Sequence, residues 1–117
     1  MTESFRNLVV WQKAKDLVEA VYEATKSFPR EEIYTLTAQI RRAAISIPSN
    51  IAEGKGRNTD PDFRRFLLQA RGSLYEVENQ LEIAKDLGYI SETQLAKLIP
   101  KCNEVGKLLN GLMNSLG

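Results

Sequence analysis

The stretch SETQLAKLIPKCNEVGKLLNGLMNSLG, Ser91–Gly117, reads as a single amphipathic helix. Leu95, Leu98, Cys102, Val105, Leu109, Leu112 and Leu116 recur at alternating steps of three and four, which sets one continuous apolar seam along the helix. Such a seam packs knobs into holes against neighbouring helices at about 20°, with a left-handed supercoil. Ser91 and Gln94 stand in the spacing of a capping box that starts the helix. Pro100 falls inside the periodic run and should bend it locally. A seam this regular cannot be buried alone, so the rest of the chain should supply helices to cover it.

Three earlier stretches do so. The first runs from about Leu8 to Ser27, with Val10, Ala14, Leu17, Val21 and Phe28 on one side and Phe28-Pro29 ending it. The second begins near Glu32 and carries Ile33, Leu36, Ile40, Ala44, Ile47 and Ile51. Pro48 lies within it and predicts a kink rather than a stop, and Gly54 and Gly56 are expected to terminate it. The third opens on Thr59-Asp60 as cap, with Pro61 and Asp62 in its first turn. Its inner face is Phe63, Phe66, Leu67, Ala70, Leu74, Val77, Leu81 and Ala84, and Gly88 closes it. The connections are short, which makes consecutive helices antiparallel neighbours. The expected fold is all-α: one domain over residues 1–117, an up-down-up-down, left-handed four-helix bundle.

Composition narrows the function. The 117 residues are 43% hydrophobic and 26% charged, an ordinary globular balance. There is no histidine, which removes the commonest general base and metal ligand, and a single cysteine, which excludes a thiolate zinc site. Cys102 stands on the seam and reads as a small core residue. Gly54-Lys55-Gly56 lacks the strand and spacing of a phosphate loop, and Glu76, Glu78 and Glu82 read as a solvated face. No catalytic residue, metal site or cofactor is expected. The opening MTESFRN does not read as a signal peptide, and no apolar run approaches the roughly 20 residues of a membrane span. A cytoplasmic location is the default expectation.

Net charge is +1, but its distribution is uneven. Residues 38–71 carry Arg41, Arg42, Lys55, Arg57, Arg64, Arg65 and Arg71 against only Glu53, Asp60 and Asp62. Plotted at about 100° per residue, Arg41, Ile45, Pro48 and Ala52 form a second stripe beside the core stripe of the second helix. Arg64, Leu68, Arg71 and Tyr75 do the same on the third. A monomeric bundle needs one apolar face per helix, so these stripes indicate either a partner surface or a core wide enough to absorb them. Arg42 falls opposite the core stripe with Ser46, Ser49 and Glu53, the composition of a local polar network. The loop Lys55-Gly56-Arg57-Asn58, with Arg64 and Arg65, makes either a solvated loop or a basic patch able to hold a phosphate at the start of the third helix.

The segment QIRRAAISIPSNIAEG, Gln39–Gly54, resembles the signature of the 23S ribosomal RNA intervening-sequence protein family. Leu8-Val9-Val10-Trp11-Gln12-Lys13-Ala14 and Ala70-Arg71-Gly72-Ser73-Leu74-Tyr75-Glu76 are similar to that family's first and third helices. The resemblance implies a helical bundle whose relatives form ring-shaped homo-oligomers, commonly pentamers. Some relatives are encoded within 23S rRNA genes. Distant cousins accompany the reverse transcriptase of diversity-generating retroelements and bind nucleic acid. At +1 this chain is much less basic than a dedicated RNA binder. Two functions are therefore expected. The first is a homo-oligomer, pentameric by resemblance, that binds RNA or DNA weakly and without sequence preference through Arg41, Lys55, Arg57, Arg64, Arg65 and Arg71. The second is an oligomeric scaffold for a protein partner. In both, Ile45, Pro48, Ala52, Leu68 and Tyr75 would form the oligomer interface. The two differ in whether the basic side chains share one exposed surface.

Overall fold

A computed structural model describes residues 4–116; Met1–Glu3, the first residues of the opening segment quoted above, and Gly117 lie outside it. The described residues form four α-helices: α1 (Val9–Thr25), α2 (Leu36–Lys55), α3 (Asp60–Asp86) and α4 (Glu92–Ser115). Short 3-10 turns at Phe5–Asn7 and Arg30–Glu32 precede α1 and α2. Each helix packs on two others, α1 on α2, α2 on α3, α3 on α4 and α4 on α1, and among the described residues no backbones approach closely across either diagonal. The four thus stand at the corners of a square in chain order. Contacts join opposite ends of successive helices: Thr25 meets Arg41, Gly54 meets Phe63 and Phe66, and Arg64 meets Met113. One end of the bundle therefore holds the α2–α3 loop, and the other holds the α1–α2 and α3–α4 connections.

The apolar periodicity explains the core. Every inner-face residue expected on the first and third helices is buried, as are Ile40, Ala44, Ile47 and Ile51 of α2. On α4 the buried line is Leu95, Leu98, Cys102, Val105, Leu109 and Met113, and Leu112 is only half-buried. A helix at 3.6 residues per turn drifts against a strict 3.5-residue repeat, and Met113 takes the inward place that the repeat assigns to Leu112. Burying each large aliphatic side chain contributes about 1.5–3 kcal/mol, which makes this seam the main source of stability.

The helix ends are chemically defined. Thr59 Oγ1 accepts from Asp62 N, with Pro61 in the first turn of α3. Ser91 and Gln94 make both bonds of the capping box, at 3.0 and 2.8 Å. Gly88 adopts φ +79° beyond α3, where the left-handed backbone lets Tyr89 N donate to Ala84 O at 2.8 Å. Both α2 and α4 continue through their prolines, Pro48 and Pro100, as single helices.

Two expectations about α2 are corrected. It begins at Leu36 rather than near Glu32, and Ile33 is half exposed instead of buried. The Glu32 carboxylate explains the later start: it accepts from the Thr35 hydroxyl, from Tyr89 Oη at 2.8 Å and from Leu36 N at 3.4 Å. A side chain thus caps α2 from outside, and these bonds, that from Thr35 foremost, hold the Glu32 carboxyl below its ordinary range. Nor does Gly54 terminate the helix. It is buried within α2, and a Cβ there would lie 2.7 Å from Phe66 Cβ and 2.9 Å from Phe63 Cδ1. The glycine is a contact point between α2 and α3, and Gly56 is the C-cap residue.

Gly54→Ala should therefore destabilise the protein by about 1–3 kcal/mol, the range of core overpacking. Gly72, within α3 and with nothing near its missing Cβ, should give the opposite sign on substitution by Ala, a gain of about 0.5–1 kcal/mol. Urea unfolding followed by circular dichroism measures both, and equal effects would contradict the close-approach account.

Candidate functional site

The six basic residues expected to bind nucleic acid do not share a surface. Arg41 lies toward the start of α2, about 21 Å along the axis from Lys55 at the other end. Its Nε donates to Thr25 Oγ1 at 2.8 Å, its Nη2 to Tyr22 O at 3.5 Å, and its guanidinium stacks 4.6 Å from the Tyr22 ring centre. Arg64 Nη2 donates to Met113 O and Leu116 O, both at 2.9 Å, at the C-terminal end of α4, where Met113 O also accepts from Leu116 N at 3.3 Å. Arg71 Nη1 donates to Asn110 Oδ1 at 3.0 Å. These three arginines tie helices together.

Lys55, Arg57 and Arg65 do come together, around the α2–α3 loop. The guanidiniums of Arg57 and Arg65 stack on Phe66, 4.7 and 4.6 Å from its ring centre, and Arg65 lies 3.8 Å from Asp62. The start of α3 is poorly suited to an anion. Asp60 and Asp62 place two carboxylates in its first turn, and Asp62 N already donates to Thr59. The basic patch is thus three exposed or half-exposed cations at one end of the bundle.

The second stripes of α2 and α3 are not absorbed by the core. Ile45 is 43% exposed, Leu68 45% and Tyr75 57%, while Pro48 and Ala52 are half-buried. Ile45 lines a shallow groove of about 380 Å³ between α1 and α2, with Tyr22, Ile33, Thr37, Arg41 and Arg42. Tyr75 lines a second groove of about 360 Å³ between α3 and α4, with Glu78, Glu82, Leu95, Ile99 and Asn103. Cys102 lies in its floor, and burial first, then the Glu78 charge, pushes its thiol pKa up to about 12, the opposite of an activated nucleophile. Among the described residues no group of three or more His, Cys, Asp or Glu side chains is arranged to hold a metal ion, and no helix is long and apolar enough to cross a membrane.

Arg42 is not in the polar network expected of it. Ser46 bonds to Ser73 and Ala43 O, whereas Arg42 is exposed and unpaired at the edge of the α1/α2 groove. Ile99 was not singled out by the sequence reading, and Glu78, read there as part of a solvated face, is half-buried in the α3/α4 groove. The one signal for Ile99 was its four-residue spacing from Leu95, on the flank of the seam rather than in it.

A square of four helices with an apolar core and two side grooves defines a helical-bundle protein. Residues 6–111 match the 23S rRNA-intervening sequence protein family, and the chain belongs to it. Its fold is that of a solved structure from Bacteroides thetaiotaomicron, a protein of unknown function from the S23 ribosomal protein family. The two are 26% identical with a TM-score of 0.83, over 92% of this chain and 100% of the other. Among curated proteins none matches the chain.

If Arg64 is a structural cap, Arg64→Ala should lower stability by about 1.5–3 kcal/mol, the range for a hydrogen bond to a charged group. Thermal or urea unfolding of this variant provides the check. An unchanged midpoint would return Arg64 to the pool of binding residues.

Proposed function

We propose that the protein is a non-catalytic, self-assembling bundle whose biological work is done as a homo-oligomer, with a ring of five subunits the arrangement its family resemblance implies. The observation that carries this reading is the exposure of Ile45, Leu68 and Tyr75 on stripes separate from the core. Apolar side chains aligned beside a complete core are the mark of a protein contact. Assembly through unlike patches closes into a ring, which fits stripes on two different helices. The dispersal of the arginines favours an oligomeric scaffold over a dedicated nucleic-acid binder, since Arg41, Arg64 and Arg71 already have partners within the fold. The protein is expected to act in the cytoplasm.

Light scattering at micromolar concentration should give a mass of several subunits, five on the ring reading. Leu68→Glu or Tyr75→Glu should reduce it to one subunit with helicity retained. A one-subunit mass for the unaltered protein would overturn the proposal.

A narrower nucleic-acid role is supported by Lys55, Arg57 and Arg65 at one end of the bundle, which a ring would repeat once per subunit. Binding through these side chains would consist of phosphate contacts, because Phe66 is buried beneath the arginines and offers no face to a base. Fluorescence anisotropy with structured RNA and duplex DNA at about 50 mM salt should show weak binding that depends little on sequence and falls steeply with added salt. Arg57→Ala with Arg65→Ala should flatten the salt dependence. No binding to either nucleic acid would leave the scaffold reading alone.

A further inference from the structure

The two side grooves differ in charge and match in position. The α1/α2 groove has an apolar floor of Ile33, Ile45 and the Tyr22 ring, with Arg41 and Arg42 at its edge. The α3/α4 groove has an apolar floor of Leu81, Leu95 and Ile99, with Glu78 and Glu82 at its edge. Because the helices stand in chain order around a square, these grooves open on opposite sides of the bundle.

Each groove also holds polar groups without partners. Thr37 lines the first groove, and its hydroxyl oxygen is buried with no hydrogen-bond partner among the described residues. Arg42 has no acidic partner among the described residues. On the opposite side Glu78 has no cationic partner among the described residues, and burial raises its carboxyl above the ordinary range. Glu82 is paired, 3.7 Å from Lys85.

The grooves lie at one level along the bundle. The first is built from the later half of α1 and the earlier half of α2, the second from the later half of α3 and the earlier half of α4. Antiparallel order places all four of these halves at the end away from the α2–α3 loop. Arg42 shares a small cleft with Glu76 and Gln80, which sets it level with Glu78 of the same helix. Two patches at equal height on opposite sides can mate between copies related by rotation about an axis parallel to the helices, with no step along that axis. An unlike-patch contact of this kind closes where each copy is turned from the last by a whole fraction of a circle, whereas one with a step climbs into a filament.

On these grounds we infer that the α1/α2 groove of one copy receives the α3/α4 groove edge of the next, with Arg42 facing Glu78 and Ile33 and Ile45 packing on Tyr75 and Ile99. This pairing rests on the proposed self-assembly and specifies its two mating surfaces. Opposite charges at the rim fix register and exclude the like-with-like alternatives, in which Arg42 would meet Arg42 or Glu78 would meet Glu78.

Two half-blocked variants test it. Arg42→Glu with Ile45→Asp closes the first face, and Tyr75→Arg with Glu78→Arg closes the second; all four positions are exposed or half-exposed, and circular dichroism verifies the fold. Each variant alone should have the mass of one subunit, and their equimolar mixture should give a species of two subunits and nothing larger. In parallel, Arg42→Glu and Glu78→Arg should each weaken assembly roughly tenfold or more, and the two combined in one chain should restore it. If each half-blocked variant instead forms a two-subunit species by itself, the contact is like-with-like and the pairing is overturned. If both keep the full oligomeric mass, assembly stands but uses other surfaces. A single-subunit mass for the unaltered protein overturns the self-assembly reading, and with it the assignment of a second copy to these grooves.

Discussion

The closeness of α2 and α3 is the constraint on which the remaining geometry depends. Of the four helix pairs this one has the most extensive contact, and at Gly54 there is no room for a methyl group beside Phe66 and Phe63. Close approach draws the small residues Ala43 and Ala44 into the core and brings Ser46 within hydrogen-bonding range of Ser73. With the α2–α3 pair so tight, α1 and α4 are left to cover its remaining exposed side. The side grooves follow the contacts these two helices make, α1 with α2 and α4 with α3, and Ile45 and Tyr75 line them.

Much of this was legible in the residues. The three- and four-residue spacing names nearly all of the core, because burial requires that period and nothing else in the chain competes with it. Cap residues were equally plain at Thr59, Ser91 and Gln94, since their bonds are local. The errors lie where a distant residue decides. Glu32 looks like the first turn of a helix until Tyr89, far along the chain, offers it a hydrogen bond. Gly54 looks like a stop signal, because a sequence shows a missing side chain but not the phenyl ring that would occupy its place.

The candidate site was only half legible for a related reason. Helical projection places side chains by angle, and it set Ile45, Leu68 and Tyr75 beside the core without deciding between burial and the exposure they have. Projection does not say what a long side chain reaches. Arg41 and Arg64 stand at outward angles yet fold back to backbone carbonyls of a neighbouring helix. Charge counted by segment therefore overstates the charge offered to a ligand, since Arg41, Arg64 and Arg71 are held within the fold.

The Glu32–Tyr89 bond has a consequence of another kind. It joins the α1–α2 connection to the α3–α4 turn, and the Phe28 and Tyr89 rings meet beside it with centres 5.5 Å apart. Both chain reversals at that end are cross-braced, and the two side grooves lie at the same end. Walls braced in this way have little freedom left to lose. A partner that docks there meets surfaces already in their bound shape, so the entropic cost of ordering them is largely met by folding rather than by binding.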